Sequence, residues 1–105
     1  DVSTLTSLDE FQNSSSPSDY ILGQNYPNPF NPCTQIMFST KITGNASLEV
    51  YNLLGQRVAT LFNEIATANT LYSIQFDAEN LASGVYLYSL RTPNGIEVKK
   101  MCLIR

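Results

Sequence analysis

The residues from Val85 to Leu90 alternate strictly. Tyr86, Tyr88 and Leu90 share one parity, and Val85, Leu87 and Ser89 share the other. A period of two is the signature of an extended chain, so this stretch is a strand. Neither parity is strongly polar, which places the strand centrally in a sheet. Gly84 stands directly before it, and glycine accepts backbone conformations that side chains resist. The rest of the 105 residues has to fall around this strand.

The same pattern recurs along the chain. Residues 20–24 read as a short first strand. Residues 25–32 follow with three prolines, which fix three backbone angles and remove three donors; a rigid, extended loop is expected there, not helix or ladder strand. Within it, Tyr26 and Phe30 are expected to plug the loop, with Pro27, Pro29 and Pro32, into the end of the core. The alternative is a Pro-rich ligand for an aromatic groove. Residues 34–40 alternate with Ile36 and Phe38 inward, and 41–45 turn. Residues 46–52 place Leu48 and Val50 on one face and Glu49 and Tyr51 on the other. The chain turns at Gly55 and returns as a hairpin strand over 57–62, with a loop over 65–69. Residues 71–77 put Tyr72, Ile74 and Phe76 inward. Asn94-Gly95 marks a turn before a last strand over 97–104.

Six or seven short strands at intervals of about ten residues, without a convincing helix, indicate an all-β antiparallel sandwich. The order fits an immunoglobulin-like or fibronectin-like arrangement of about seven strands, A, B, C, C′, E, F and G. The spacing Leu81-x-x-Gly84-x-Tyr86 looks like the tyrosine corner of such sandwiches, in which a tyrosine returns its hydroxyl to nearby backbone.

Two domain regions are expected. Residues 20–105 form the sandwich, and residues 1–19 form a linker or tail with the Ser-rich composition of flexible chain. In that tail Val2, Leu5, Leu8 and Phe11 recur every three positions, which suits neither helix nor strand. The start at Asp1, without an initiator Met, reads as a processed protein or a piece of a longer one.

Charge excludes several functions. The net charge is −3, and Asp1, Asp9, Glu10 and Asp19 concentrate acidity in the first twenty residues. The remainder is nearly neutral and has no basic surface for nucleic acid. No apolar run approaches the ~20 residues needed to span a bilayer. The chain has no His, so the usual general base at neutral pH is missing and no catalytic residue is assigned. Two cysteines alone make a poor zinc site, and no metal or cofactor is expected. Lys99-Lys100 reads as a charged edge-strand device.

Cys33 and Cys102 fall near one end of the expected sandwich and are compatible with an oxidising compartment. A bridge between them would close a loop of about 70 residues and contribute about 4 kcal/mol on the chain-entropy model. The alternative is two separate thiols, one on each sheet.

Four stretches carry a family resemblance. They are Gln24-Asn25-Tyr26-Pro27-Asn28-Pro29-Phe30-Asn31-Pro32; Leu48-Glu49-Val50-Tyr51-Asn52-Leu53-Leu54-Gly55-Gln56-Arg57-Val58; Leu81-Ala82-Ser83-Gly84-Val85-Tyr86; and Lys99-Lys100-Met101-Cys102-Leu103-Ile104-Arg105. In order and spacing they resemble the type A C-terminal sorting domain of the type IX secretion system, found in Bacteroidetes and related phyla. The resemblance covers residues 20–105. Cys33, commonly Thr or Ser in that family, and Cys102, commonly aliphatic, depart from its pattern.

The resemblance implies an immunoglobulin-like sandwich and a non-enzymatic export signal. Its bearer would cross the periplasm, be recognised by the type IX outer-membrane translocon and reach the cell surface or exterior. It often implies removal by a cysteine-protease sortase, with a cut here around residues 13–19, and attachment of the cargo to surface lipopolysaccharide. By carry-over, Lys99, Lys100, Leu103, Ile104 and Arg105 are the expected recognition residues. The competing function is structural: a homo-oligomer or extracellular filament whose Val2–Phe11 segment adds to the sheet edge of the next copy.

Overall fold

In the computed structural model, which describes residues 20–105, the alternation of apolar side chains buries one side of seven strands. They are β1 (Tyr20–Leu22), β2 (Cys33–Thr40), β3 (Gly44–Tyr51), β4 (Arg57–Ala66), β5 (Tyr72–Asp77), β6 (Gly84–Thr92) and β7 (Gly95–Leu103). A three-stranded sheet has the order β1-β2-β5, and a four-stranded sheet has the order β4-β3-β6-β7. All neighbours within the sheets are antiparallel. The chain is an all-β sandwich, and β6 lies between β3 and β7 as its two-sided apolar pattern requires. Among the described residues no helix is long and apolar enough to cross a membrane.

The core fills from both sheets. Ile36 and Phe38 of β2 face Leu48 and Val50 of β3 and Tyr86, Tyr88 and Leu90 of β6, all buried. Phe38 lies 5.1 Å edge-on from Phe62 and 5.1 Å in a stack on Tyr72. Those geometries suit the ring quadrupole better than a face-to-face sandwich does. Met101 and Leu103 of β7 close the same core.

Glycine is required where the chain bends out of the sheet. Gly84 has φ +152° and Gly55 has φ +85°, and a Cβ at either would meet no other atom. Their constraint is backbone conformation, not space.

The expected loop over 65–69 needs correction. β4 continues to Ala66, which is buried and pairs with Gly44, while Ile65 pairs with Asn45. Register shifts between Leu48 and Glu49 and between Val50 and Tyr51 break the phase of β3 against β4. A period-two reading loses count at such irregularities. β3 likewise starts at Gly44, inside the expected turn, because Gly44 and Asn45 pair with Ala66 and Ile65. On the outer face the Glu49 carboxylate accepts from the Tyr51 hydroxyl at 2.7 Å and pairs with Arg57 at 3.1 Å. The tyrosine hydroxyl, ahead of Arg57, holds this carboxyl below its ordinary pKa against the opposing effect of burial.

Candidate recognition surface

The Pro-rich loop carries the chain from β1 in one sheet to the edge of β7 in the other. Its three X–Pro bonds, before Pro27, Pro29 and Pro32, are cis. The anchors are polar as well as apolar. The buried Tyr88 hydroxyl donates to the Gly23 carbonyl at 2.8 Å and accepts the Asn25 N–H at 2.8 Å. Asn25 is itself buried, and its Nδ2 donates to Thr34 Oγ1 at 3.0 Å and to the Pro27 carbonyl at 3.1 Å. Thr34 Oγ1 in turn donates to the Pro27 carbonyl at 2.8 Å. A loop with missing N–H donors leaves carbonyls to satisfy, and these side chains satisfy them.

From there the loop clasps the free edge of β7. Gln24 Nε2 donates to the Lys100 carbonyl at 2.8 Å, and Asn28 Oδ1 accepts the Cys102 N–H at 2.9 Å. The Phe30 N–H donates to the Cys102 carbonyl, and its own carbonyl accepts the Ile104 N–H, both at 3.0 Å. Phe30 is buried and packs 6.2 Å from the Phe76 ring.

One expectation for the loop is corrected. Tyr26 does not plug the core; it is 80% exposed. Its backbone exchanges N–H and carbonyl bonds with Gln35, both at 2.9 Å. That fixes the residue to the sheet edge with its ring outward. Phe30 alone supplies the aromatic plug, and Asn25 takes the other anchoring place. Asn25, Thr34 and the double role of Tyr88 were missed from the sequence. Thr34 shares the parity of Ile36 and Phe38, which was the available signal of its burial.

At the corner the Tyr86 hydroxyl donates to the Ala82 carbonyl at 2.7 Å. Leu81 is half-buried against the core. The terminal Arg105 reaches the same corner. Its Nη1 donates to the Ala78 carbonyl at 2.9 Å and the Leu81 carbonyl at 3.2 Å, and its N–H donates to Ser83 Oγ at 2.9 Å.

The five expected recognition residues, Lys99, Lys100, Leu103, Ile104 and Arg105, therefore have different environments. Leu103 is 1% exposed and belongs to the core, whereas Ile104 is 53% exposed. Lys100 is exposed on the outer face, and Lys99, on the other parity, lies 3.8 Å from Glu97. On the folded domain Lys100, Ile104 and part of Arg105 are open to solvent, and the Leu103 side chain is not.

Of the two readings of Cys33 and Cys102, the structure has the separate thiols, one on each sheet, and not the bridge: both are free. Thr34, Ile36 and Phe38 point into the core, so Cys33 points out of the three-stranded sheet. Met101 and Leu103 point into the core, so Cys102 points out of the four-stranded sheet. Stacked sheets lie about 10 Å apart, and a disulfide needs Cβ atoms within about 4.5 Å. Two outward thiols on opposite faces cannot meet. Val2, Leu5, Leu8 and Phe11, on which the filament alternative relied, lie outside the described residues, and nothing among the described residues favours that alternative.

Tyr88 also gives this surface a pH signature. Burial pushes its hydroxyl from 10.0 up to about 12; the Asn25 N–H opposes the shift and the Glu97 charge adds to it. A folded value above the unfolded one means that this contribution is complete below the unfolded value and lost as pH rises through the folded one. Tyr88→Phe should cost about 1–3 kcal/mol at neutral pH, because it strips partners from two backbone groups. The gap between wild type and variant should narrow between pH 10.0 and about 12 in urea titrations. A gap that stays constant over that range would refute the assignment.

No curated protein matches this sequence. A family model described as secretion system C-terminal sorting domain matches residues 24–104, from the Gln24 that clasps β7 to the exposed Ile104 at its end. The match takes in most of the chain, and the protein belongs to this family of type IX export signals.

Proposed function

We propose that this domain is read by the type IX outer-membrane translocon as a folded module, at the face where β7 emerges beside the Pro-rich loop. The family match carries the sorting role. The contrast in the last residues supports the choice of face: Leu103 is buried, while Lys100 and Ile104 present a cation and an apolar side chain to solvent. On this reading Lys99 and Leu103 shape the strand and Lys100, Ile104 and Arg105 contact the receptor. The domain takes its parent polypeptide through the periplasm to the cell surface or exterior. A sortase cut ahead of β1 would release the domain there.

The test is a cargo fusion in a host with an active type IX system. Lys100→Glu combined with Ile104→Asp replaces only exposed side chains, so the sandwich should keep its circular dichroism. Extracellular cargo should fall about tenfold or more, as expected for losing central contacts of an interface, with cargo accumulating in the periplasm. Undiminished secretion by the folded double variant would sink this choice of face.

A further inference from the structure

The geometry points to a second interaction surface: the open part of the β7 edge pairs antiparallel with the β7 edge of a second copy of this chain, centred on Val98.

The hairpin register determines which backbone groups are available. Thr92 pairs with Gly95 next to the turn, and the ladder continues through Leu90↔Glu97, Tyr88↔Lys99, Tyr86↔Met101 and Gly84↔Leu103. Bonded and non-bonded pairs alternate in an antiparallel ladder. The N–H and carbonyl of Cys102 both turn away from β6 to meet Asn28 and Phe30. By the same alternation, those of Ile96, Val98 and Lys100 also turn away from β6. The loop occupies the edge from the Lys100 carbonyl onward. Among the described residues nothing pairs with the edge groups of Ile96 and Val98 or with the Lys100 N–H.

The occupant follows from the side chains. In a two-fold antiparallel pairing about Val98, Val98 faces Val98 of the copy, Ile96 faces Lys100, and Glu97 faces Lys99. The outward backbone groups then fall opposite one another as in bonded pairs: each Val98 N–H meets the Val98 carbonyl of the copy and each Lys100 N–H meets its Ile96 carbonyl, while the Lys100 carbonyl stays with Gln24. On the inner parity each Glu97–Lys99 pair, 3.8 Å apart within one chain, would meet its mirror with opposite charges facing. On the outer parity Val98 (52% exposed) and Ile96 (47% exposed) would gain apolar partners, Ile96 packing against the stem of Lys100.

A two-fold contact must be self-complementary, and the sequence Ile96-Glu97-Val98-Lys99-Lys100 satisfies that in this register. The other edges suit it less. β1 has three residues, and the pairing of β4 with β3 is broken by two register shifts. The β5 segment has Asp77 as its only charge. The loop that covers Cys102 blocks longer pairing and so fixes the register. The result is one eight-stranded sheet across a closed dimer.

The experiment is sedimentation velocity of residues 1–105 across concentrations up to about 1 mM, the range in which a small, polar edge contact associates. The mass should rise from the monomer value toward twice that value. Val98→Pro should abolish the rise with the circular dichroism unchanged, since the Val98 N–H is not used by β6 and proline is tolerated on edge strands. If that variant fails to fold, the charge reversals decide. Glu97→Lys and Lys99→Glu should each weaken the dimer about tenfold or more, and the double swap should restore it. Monomer at every concentration would overturn the inference, and so would a dimer indifferent to these changes. Export of the cargo fusion is a separate readout, so failure here leaves the sorting reading standing.

Discussion

Removing residues 101–105 should leave a chain with no cooperative thermal transition. Met101 and Leu103 are both buried in the central core, and losing side chains of this size costs about 2–5 kcal/mol each. The whole domain is expected to hold only about 5–15 kcal/mol. The truncation also strips the Pro-rich loop of its clasp, since the Asn28 side chain and both backbone groups of Phe30 bond to Cys102 and Ile104. Scanning calorimetry of the truncated protein checks this. A sharp transition near the wild-type temperature would show that the end of β7 is dispensable to the fold. The result bears on export experiments. On this expectation a deletion of the last strand would block secretion simply by unfolding the signal. Only exposed substitutions such as Lys100→Glu and Ile104→Asp separate recognition from folding.

Phe38→Ala should destabilise the domain by about 3–5 kcal/mol, the range for emptying a buried aromatic site. The ring stacks on Tyr72 and meets the edge of Phe62, and its neighbours come from both sheets. The two rings that remain, Tyr72 of β5 and Phe62 of β4, are held by separate strands and cannot collapse into the void without breaking ladder register. The cost should therefore lie at the upper end of the range. Urea unfolding should show a lower midpoint with an unchanged slope. A loss below about 1 kcal/mol would mean that the site repacks, and that the aromatic cluster is not a structural centre.

Much of the sandwich was legible because strand burial repeats with period two. Ile36 and Phe38, Leu48 and Val50, and Tyr86, Tyr88 and Leu90 declare their faces without help from the rest of the chain. The strand ends were less legible. β4 runs past its expected end because Ile65 and Ala66 find partners in Asn45 and Gly44, and nothing local to residues 65–66 encodes that pairing. The Pro-rich loop was legible as rigid and docked, but not in which side chains dock it. Hydrophobicity favours Tyr26 over Asn25. The fold reverses that choice, because a loop short of N–H donors needs a buried amide and a tyrosine hydroxyl more than it needs a second ring.

The recognition surface divides in the same way. The motif at the chain end is one of the four stretches that carry the family resemblance. It does not distinguish Leu103 from Ile104, two aliphatic neighbours in a row. Only their places relative to Phe30 and the four-stranded sheet put one in the core and the other in solvent. The cysteines show the same limit. Their positions along the chain put them near one end of the sandwich, but their parity on opposing sheets points the thiols apart. Periodicity is a local quantity, so it settled the class of fold and left the count at six or seven strands, while the family follows from the four motifs and the match over residues 24–104. Which atoms meet across 63 to 76 residues of chain, as Asn25 meets Tyr88 and Gln24 meets Lys100, follows from packing two sheets face to face, and no local pattern carries it.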